Sequence, residues 1–195
     1  VDIGPGVSGN LAAVGVDGTD YGVLDPDTDL GPWGIAPSPD GESVAYGFGD
    51  TGMIYTWGEG PSVFDPREYA HEWGKSIKLG SPSWSPDGRY LYFCRAPQTS
   101  TGSTMSLEDI EEIRYDIVRM PFDPETAGFG MTEMVFNASA NGKSASFPRI
   151  SPDGRYMVIT LHDFGTFPIW HREADLYIID LNTGESKKMD LNSIE

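Results

Sequence analysis

Three histidines, His71, His162 and His171, share polar stretches with three of the five tryptophans, Trp33, Trp73 and Trp170. Imidazoles near carboxylates invite a metal reading, and indoles among polar neighbours suit contact with protein or sugar. The run "HDFGTFPIWHRE" could gather His162, Asp163, His171 and Glu173 around one loop, but the spacing matches no metal motif. "HEWGK" at His71 lacks the second histidine of a His-Glu-x-x-His zinc site. "DPDTDLG", with Asp25, Asp27 and Asp29, begins like a calcium loop. Leu30 then stands where glycine belongs, and Ala36 where the bidentate glutamate belongs. A turn held by Asp side chains accounts for those residues. No Gly-x-Ser-x-Gly elbow occurs, and "GFGDTG" sits between two strands with no helix after it. The reading is therefore no catalytic residue, no metal and no cofactor. Trp33, His71, Trp73, His162, Trp170 and His171 remain as candidate binding residues.

The elements that must position them come from a repeat. Ser-Pro-Asp-Gly occurs at Ser38, Ser85 and Ser151, each time before an alternating apolar run: "ESVAYGF", "RYLYFCR" and "RYMVITL". Proline presets φ, aspartate bonds its local backbone and glycine accepts positive φ, so the tetrapeptide is a turn between strands. Asp40, Asp87 and Asp153 are thus read as structural. A second strand pair follows each copy: "MIYTW" with "PSVFD", "YDIVRMPF" with "MTEMVF", and "ADLYIIDL" with "SKKMDL". Four strands repeated in tandem read as the blades of a β-propeller, an all-β fold of antiparallel sheets. The leading stretch "NLAAVGVDGTDYGVLDP" reads as the last two strands of another blade.

The expected organisation is one propeller region over 1–195. It holds a partial blade at 1–27 and blades at 31–66, 78–138 and 144–191, about three and a half blades in all. The sequence pattern favours a partial ring whose missing blades lie elsewhere, with two paired copies as the alternative. Within a blade, the first–second and third–fourth turns lie on one rim, and the remaining connections on the other. The long connections all belong to the second class and hold the six candidate residues. That rim is expected to bind. Inside the longest, "SLEDIEEI" carries a capping box, Ser106 with Asp109, and predicts a short helix.

The net charge is −17. Residues 1–97 carry 5 cationic and 14 anionic side chains, and residues 98–195 carry 8 and 16. By halves the acidity is even, which disfavours nucleic acid and direct contact with anionic membranes. Cys94 is alone in an apolar strand and reads as a buried small hydrophobe, with no internal disulfide.

The Ser-Pro-Asp-Gly-Arg-Tyr pattern followed by "DLYIIDLNTGE" resembles the TolB-like propeller repeat, across essentially the whole chain. Stretches such as "RYDIVRMPFDPETAGFG" are similar to those of large bacterial envelope proteins with such repeats. The resemblance implies a non-catalytic interaction scaffold with a protein partner, periplasmic or extracellular. The alternatives are the propeller of a prolyl-oligopeptidase-type serine peptidase whose catalytic domain is absent from this chain, and a glycan-binding propeller.

Overall fold

A computed structural model describes residues 11–19, 21–25, 34–46, 52–64, 79–96, 111–165, 168 and 173–191. Its strands form four antiparallel sheets. The first is the pair β1 (Leu11–Ala13) and β2 (Gly22–Asp25). Next come β3 (Ile35–Pro37), β4 (Ser43–Tyr46), β5 (Gly52–Thr56) and β6 (Gly60–Phe64), paired in chain order. The third sheet holds β7 (Leu79–Trp84), β8 (Tyr90–Arg95) and β9 (Asp116–Asp123). Its fourth strand is split into β10 (Gly128–Phe129) and β11 (Glu133–Phe136), both paired with β9. The last sheet runs β12 (Ser144–Ile150), β13 (Tyr156–His162), β14 (Ala174–Asp180) and β15 (Ser186–Lys188). These are propeller blades, called here the half-blade and blades 1, 2 and 3.

Blade 2 shows why its strands read as continuous apolar runs. Successive side chains of a strand point to opposite faces. Leu91 and Phe93 of β8 join Val118, Met120 and Phe122 of β9 in a core with Ala45 and Ile54 of blade 1. Tyr92, Cys94 and Ile117 face the other way, onto Met157, Ile159 and Ile179 of blade 3. A sheet covered on both faces cannot alternate apolar with polar. Cys94 is buried among these groups, and burial pushes its thiol up to about 12.

The innermost strands step from blade to blade with a repeated irregularity. Register shifts occur between Gly80 and Ser83, and between Ser146 and Arg149. Ser81 and Phe147, each four residues before the serine of its turn motif, have φ of 52° and 54°. Both precede a proline, Pro82 and Pro148. The equivalent position of blade 1 is Gly34, φ 155°, where a Cβ would stand 2.5 Å from Cδ of Pro82. Left-handed bulges at non-glycine residues cost free energy and persist only where the surroundings hold them. The strands that carry them, β7 and β12, lie against each other across the boundary between blades 2 and 3.

Of the helix expected over Ser106–Ile113, all but the last three residues lie outside the described residues. Within those three, Ile113 is buried.

Candidate functional site

The two rims of the blade array are built differently. At one rim each Ser-Pro-Asp-Gly turn closes on itself, and the three copies agree bond for bond. In blade 3 the Ser151 backbone N–H donates to the Tyr156 carbonyl at 2.8 Å, and Gly154 N–H donates to the Ser151 carbonyl at 2.8 Å. The Tyr156 N–H has then lost its backbone acceptor. It donates instead to Ser151 Oγ at 2.9 Å, while Ser151 Oγ donates to Asp153 Oδ1 at 2.5 Å. Asp153 Oδ1 also accepts the Arg155 N–H at 3.0 Å. Ser38 with Asp40, and Ser85 with Asp87, repeat the set. The serine is required because its hydroxyl replaces a carbonyl that the turn consumes. The aspartate orients that hydroxyl, and the serine hydrogen bond is the main reason all three carboxyls are held below the usual range.

The opposite rim, between blades 2 and 3, holds charge and imidazole. Arg95 ends β8 and faces Asp116, which begins β9, as register partners. They are 1% and 2% exposed. Burial pulls the Arg95 guanidinium down to about 9, against the pull of the Asp116 charge. Asp116 accepts from Ser139 N–H at 2.7 Å and Ser139 Oγ at 2.8 Å. It thereby anchors the 3-10 turn Ser139–Asn141 that leads into blade 3. Three connections converge nearby. Arg114 donates to the carbonyls of Glu111 and Gly142, at 2.7 and 2.9 Å. Gly165 N–H donates to the Glu111 carbonyl at 3.0 Å, and Lys143 pairs with Asp163 at 2.5 Å.

His162 lies beside this cluster. The sequence placed it in a loop, whereas it is the last residue of β13, paired with Ala174 and Ser144 and 3% exposed. Its Nε2 is 2.7 Å from Ser146 Oγ, and its ring lies against Phe164 with centroids 4.5 Å apart. The physical reason is the strand's length: the pairing with β14 runs one residue beyond the apolar run "RYMVITL" and carries the histidine inside. Trp33, His71, Trp73, Trp170 and His171 lie outside the described residues. Among the described residues no three His, Cys, Asp or Glu side chains group to hold a metal, and Asp163 is taken by Lys143. No described helix is long and apolar enough to cross a membrane.

Sequence reasoning passed over Arg95, Asp116, Ser144 and Ser146. Arg95 closes an apolar run and reads as its polar end. The usable signal was Asp116 in "YDIVRM", matched by Asp175 in "ADLYII", where the arginine's counterpart is Leu161. One blade therefore carries a buried charge pair where another carries an aliphatic residue beside a partly exposed carboxylate.

No family model and no curated protein matches the chain. Among solved structures it is similar to a protein from Agrobacterium tumefaciens described as a TolB, at 18% identity and TM-score 0.60. That match covers 93% of this chain and 56% of the other, so the chain spans little more than half of that neighbour. The hydrazine synthase of Kuenenia stuttgartiensis aligns at 19% identity over 83% of this chain and 50% of that one, with TM-score 0.33. The blades, their shared turn and the Agrobacterium neighbour together give this chain the fold of a TolB-like β-propeller.

Proposed function

We propose that this propeller is a non-catalytic scaffold that binds a protein partner through the rim carrying Arg95, Asp116 and His162, in the periplasm or outside the cell. The observation that carries the reading is the contrast between the rims. Turn residues such as Ser38, Ser85 and Ser151 spend their hydrogen bonds on their own hairpins. The other rim concentrates polar groups at strand ends that long connections join, and such connections carry recognition on a rigid support. Trp33, His71, Trp73, Trp170 and His171 fall in those connections by sequence and belong to the same proposed surface. A protein partner is favoured over a glycan because aromatic groups in polar connections, where the sequence places Trp33, Trp73 and Trp170, anchor protein interfaces. Nucleic acid and anionic membrane are disfavoured by the charge of −17.

The test places a photo-crosslinking residue at Asp163 or Glu173 on one rim, and at Gly41 or Gly154 on the other, in the protein expressed in its cell of origin. A discrete protein adduct from the first pair alone supports the reading. Equal labelling from both rims, or glycan-array binding abolished by changing Trp73 and Trp170, overturns it.

A further inference from the structure

The break in the outer strand of blade 2 has a local cause. Pro121 of β9 has no N–H to give the ladder. Its carbonyl still accepts the Gly130 N–H at 2.8 Å. Phe129 pairs with Phe122 on one side of the break, and Glu133 pairs with Arg119 on the other. Between them Met131 and Thr132 together stand opposite the single residue Met120. This is a β-bulge, and bulges re-aim side chains.

The bulge leaves sulfur outside and a hydroxyl inside. Met131 is 51% exposed, and Met134, which pairs with Val118, is 42% exposed. Glu133, between them, is fastened to Arg119 at 2.7 Å. Met120 and Met157, in the two blade cores, are fully buried. Thr132 Oγ1 is buried and has no hydrogen-bond partner among the described residues. Residues two apart in an extended chain share a face, which brings Thr132 and Met134 together. A buried hydroxyl without an acceptor is costly, and a thioether is a weak acceptor. A sulfoxide oxygen is a much better one.

The chain's one thiol does not compete for an oxidant. Cys94 is buried, and with its thiol pushed up to about 12 it holds little of the reactive thiolate.

We propose that Met131 and Met134 form a reversible oxidation site for a peroxide, and that the Thr132 hydroxyl donates to the oxygen that Met134 gains. A sulfur lone pair attacks one oxygen of hydrogen peroxide, and an S–O bond forms as the O–O bond breaks. Sulfur loses two electrons. The departing hydroxide takes the proton of the transferred oxygen and leaves as water. Reversal needs a methionine sulfoxide reductase for each sulfoxide epimer, in which two thiols become a disulfide while the oxygen leaves as water. The oxidant is thus met at the edge of blade 2, and the methionines that pack the cores are spared.

The test treats the full chain with hydrogen peroxide and follows each methionine by mass spectrometry. Met131 and Met134 should gain oxygen at least about tenfold faster than Met120 and Met157, and urea should erase the difference. The two reductases should remove that oxygen from the folded chain. Melting is then compared before and after oxidation. Thr132→Val keeps the shape and removes the donor, so oxidation should lower its melting temperature more than that of the unchanged protein. Thr132→Ser should behave as the unchanged protein does. Comparable rates at the buried methionines, or sulfoxides that the reductases cannot reach in the folded chain, would overturn the site. An equal loss of melting temperature in Thr132→Val and the unchanged protein would overturn the role of the hydroxyl.

Discussion

Trp84 of β7 donates its indole N–H to the carbonyl of Ala36 in β3, 2.9 Å away across the boundary between blades 1 and 2. The bond is buried, and the same ring meets Phe122 edge-on at 5.0 Å. Trp84→Phe keeps most of the apolar contact and strands a buried carbonyl, so it should cost about 1–3 kcal/mol. Trp84→Ala adds a cavity and should cost about 3–5 kcal/mol. Urea denaturation of the two variants checks the order, and unchanged stability of Trp84→Phe would show that the hydrogen bond contributes nothing.

The self-closed turns predict a hierarchy within one hairpin. Ser85→Ala leaves the Tyr90 N–H without its acceptor and should cost about 1–2 kcal/mol. Asp87→Asn should cost less, on the order of 1 kcal/mol, because solvent screens its carboxylate. The pH dependence follows from the lowered carboxyls of Asp40, Asp87 and Asp153. A carboxyl with a depressed folded-state pKa stabilises above its unfolded value and loses that stabilisation as pH falls through the folded one. Acid melting should therefore steepen below about pH 4, the unfolded range of Asp. The triple Asp→Asn variant should flatten that slope.

The buried Arg95–Asp116 pair should respond unlike a surface bridge. Asp116→Ala leaves a buried guanidinium without its facing charge and releases Ser139, at a cost of about 3–5 kcal/mol. Arg95→Leu combined with Asp116→Asn should recover much of the loss, since blade 3 places Leu161 at the equivalent position. The pH profile carries a second signature. With the folded pKa lowered to about 9 from arginine's ordinary, higher value, the unfolded chain binds more proton between the two. Stability from this group therefore rises with pH across that window, and Arg95→Leu removes the rise. Equal stability of Asp116→Ala and the double variant would refute the coupling.

Cys94 should be inert in the folded protein. It is buried with its thiol raised to about 12, and the thiolate is the reactive form. A thiol reagent such as DTNB should label it only as fast as the blade 2–blade 3 contact opens, and urea should speed labelling in step with unfolding. Prompt labelling of the native chain would contradict this placement.

Much of the blade architecture was readable because its determinants are local. Ser-Pro-Asp-Gly specifies a hairpin by its own hydrogen bonds, and period-two patterning specifies faces, so Asp40, Asp87 and Asp153 were legible as structural residues. The left-handed positions at Ser81 and Phe147 were not, because no residue type at either position announces a positive φ. The candidate rim was half legible. His162, expected in a loop, is a buried strand end, since strand pairing to β14 outlasts the apolar run. Arg95 looked like a polar strand end and is buried because the connection carrying Ser139 folds across its partner Asp116.

The step between inner strands also bears on how such a chain could be shuffled. Repeats built to one plan invite the idea of interchangeable parts, yet Gly34 stands where blade 2 has Ser81 and blade 3 has Phe147. A Cβ at Gly34 would meet the ring of Pro82 at 2.5 Å. A duplication that moved blade 3 into first place would bring the phenyl group of Phe147 against that proline. Recombination within this propeller therefore has a grammar: the residue at Gly34 is written for the blade that follows it, and order along the chain is part of the fold's specification.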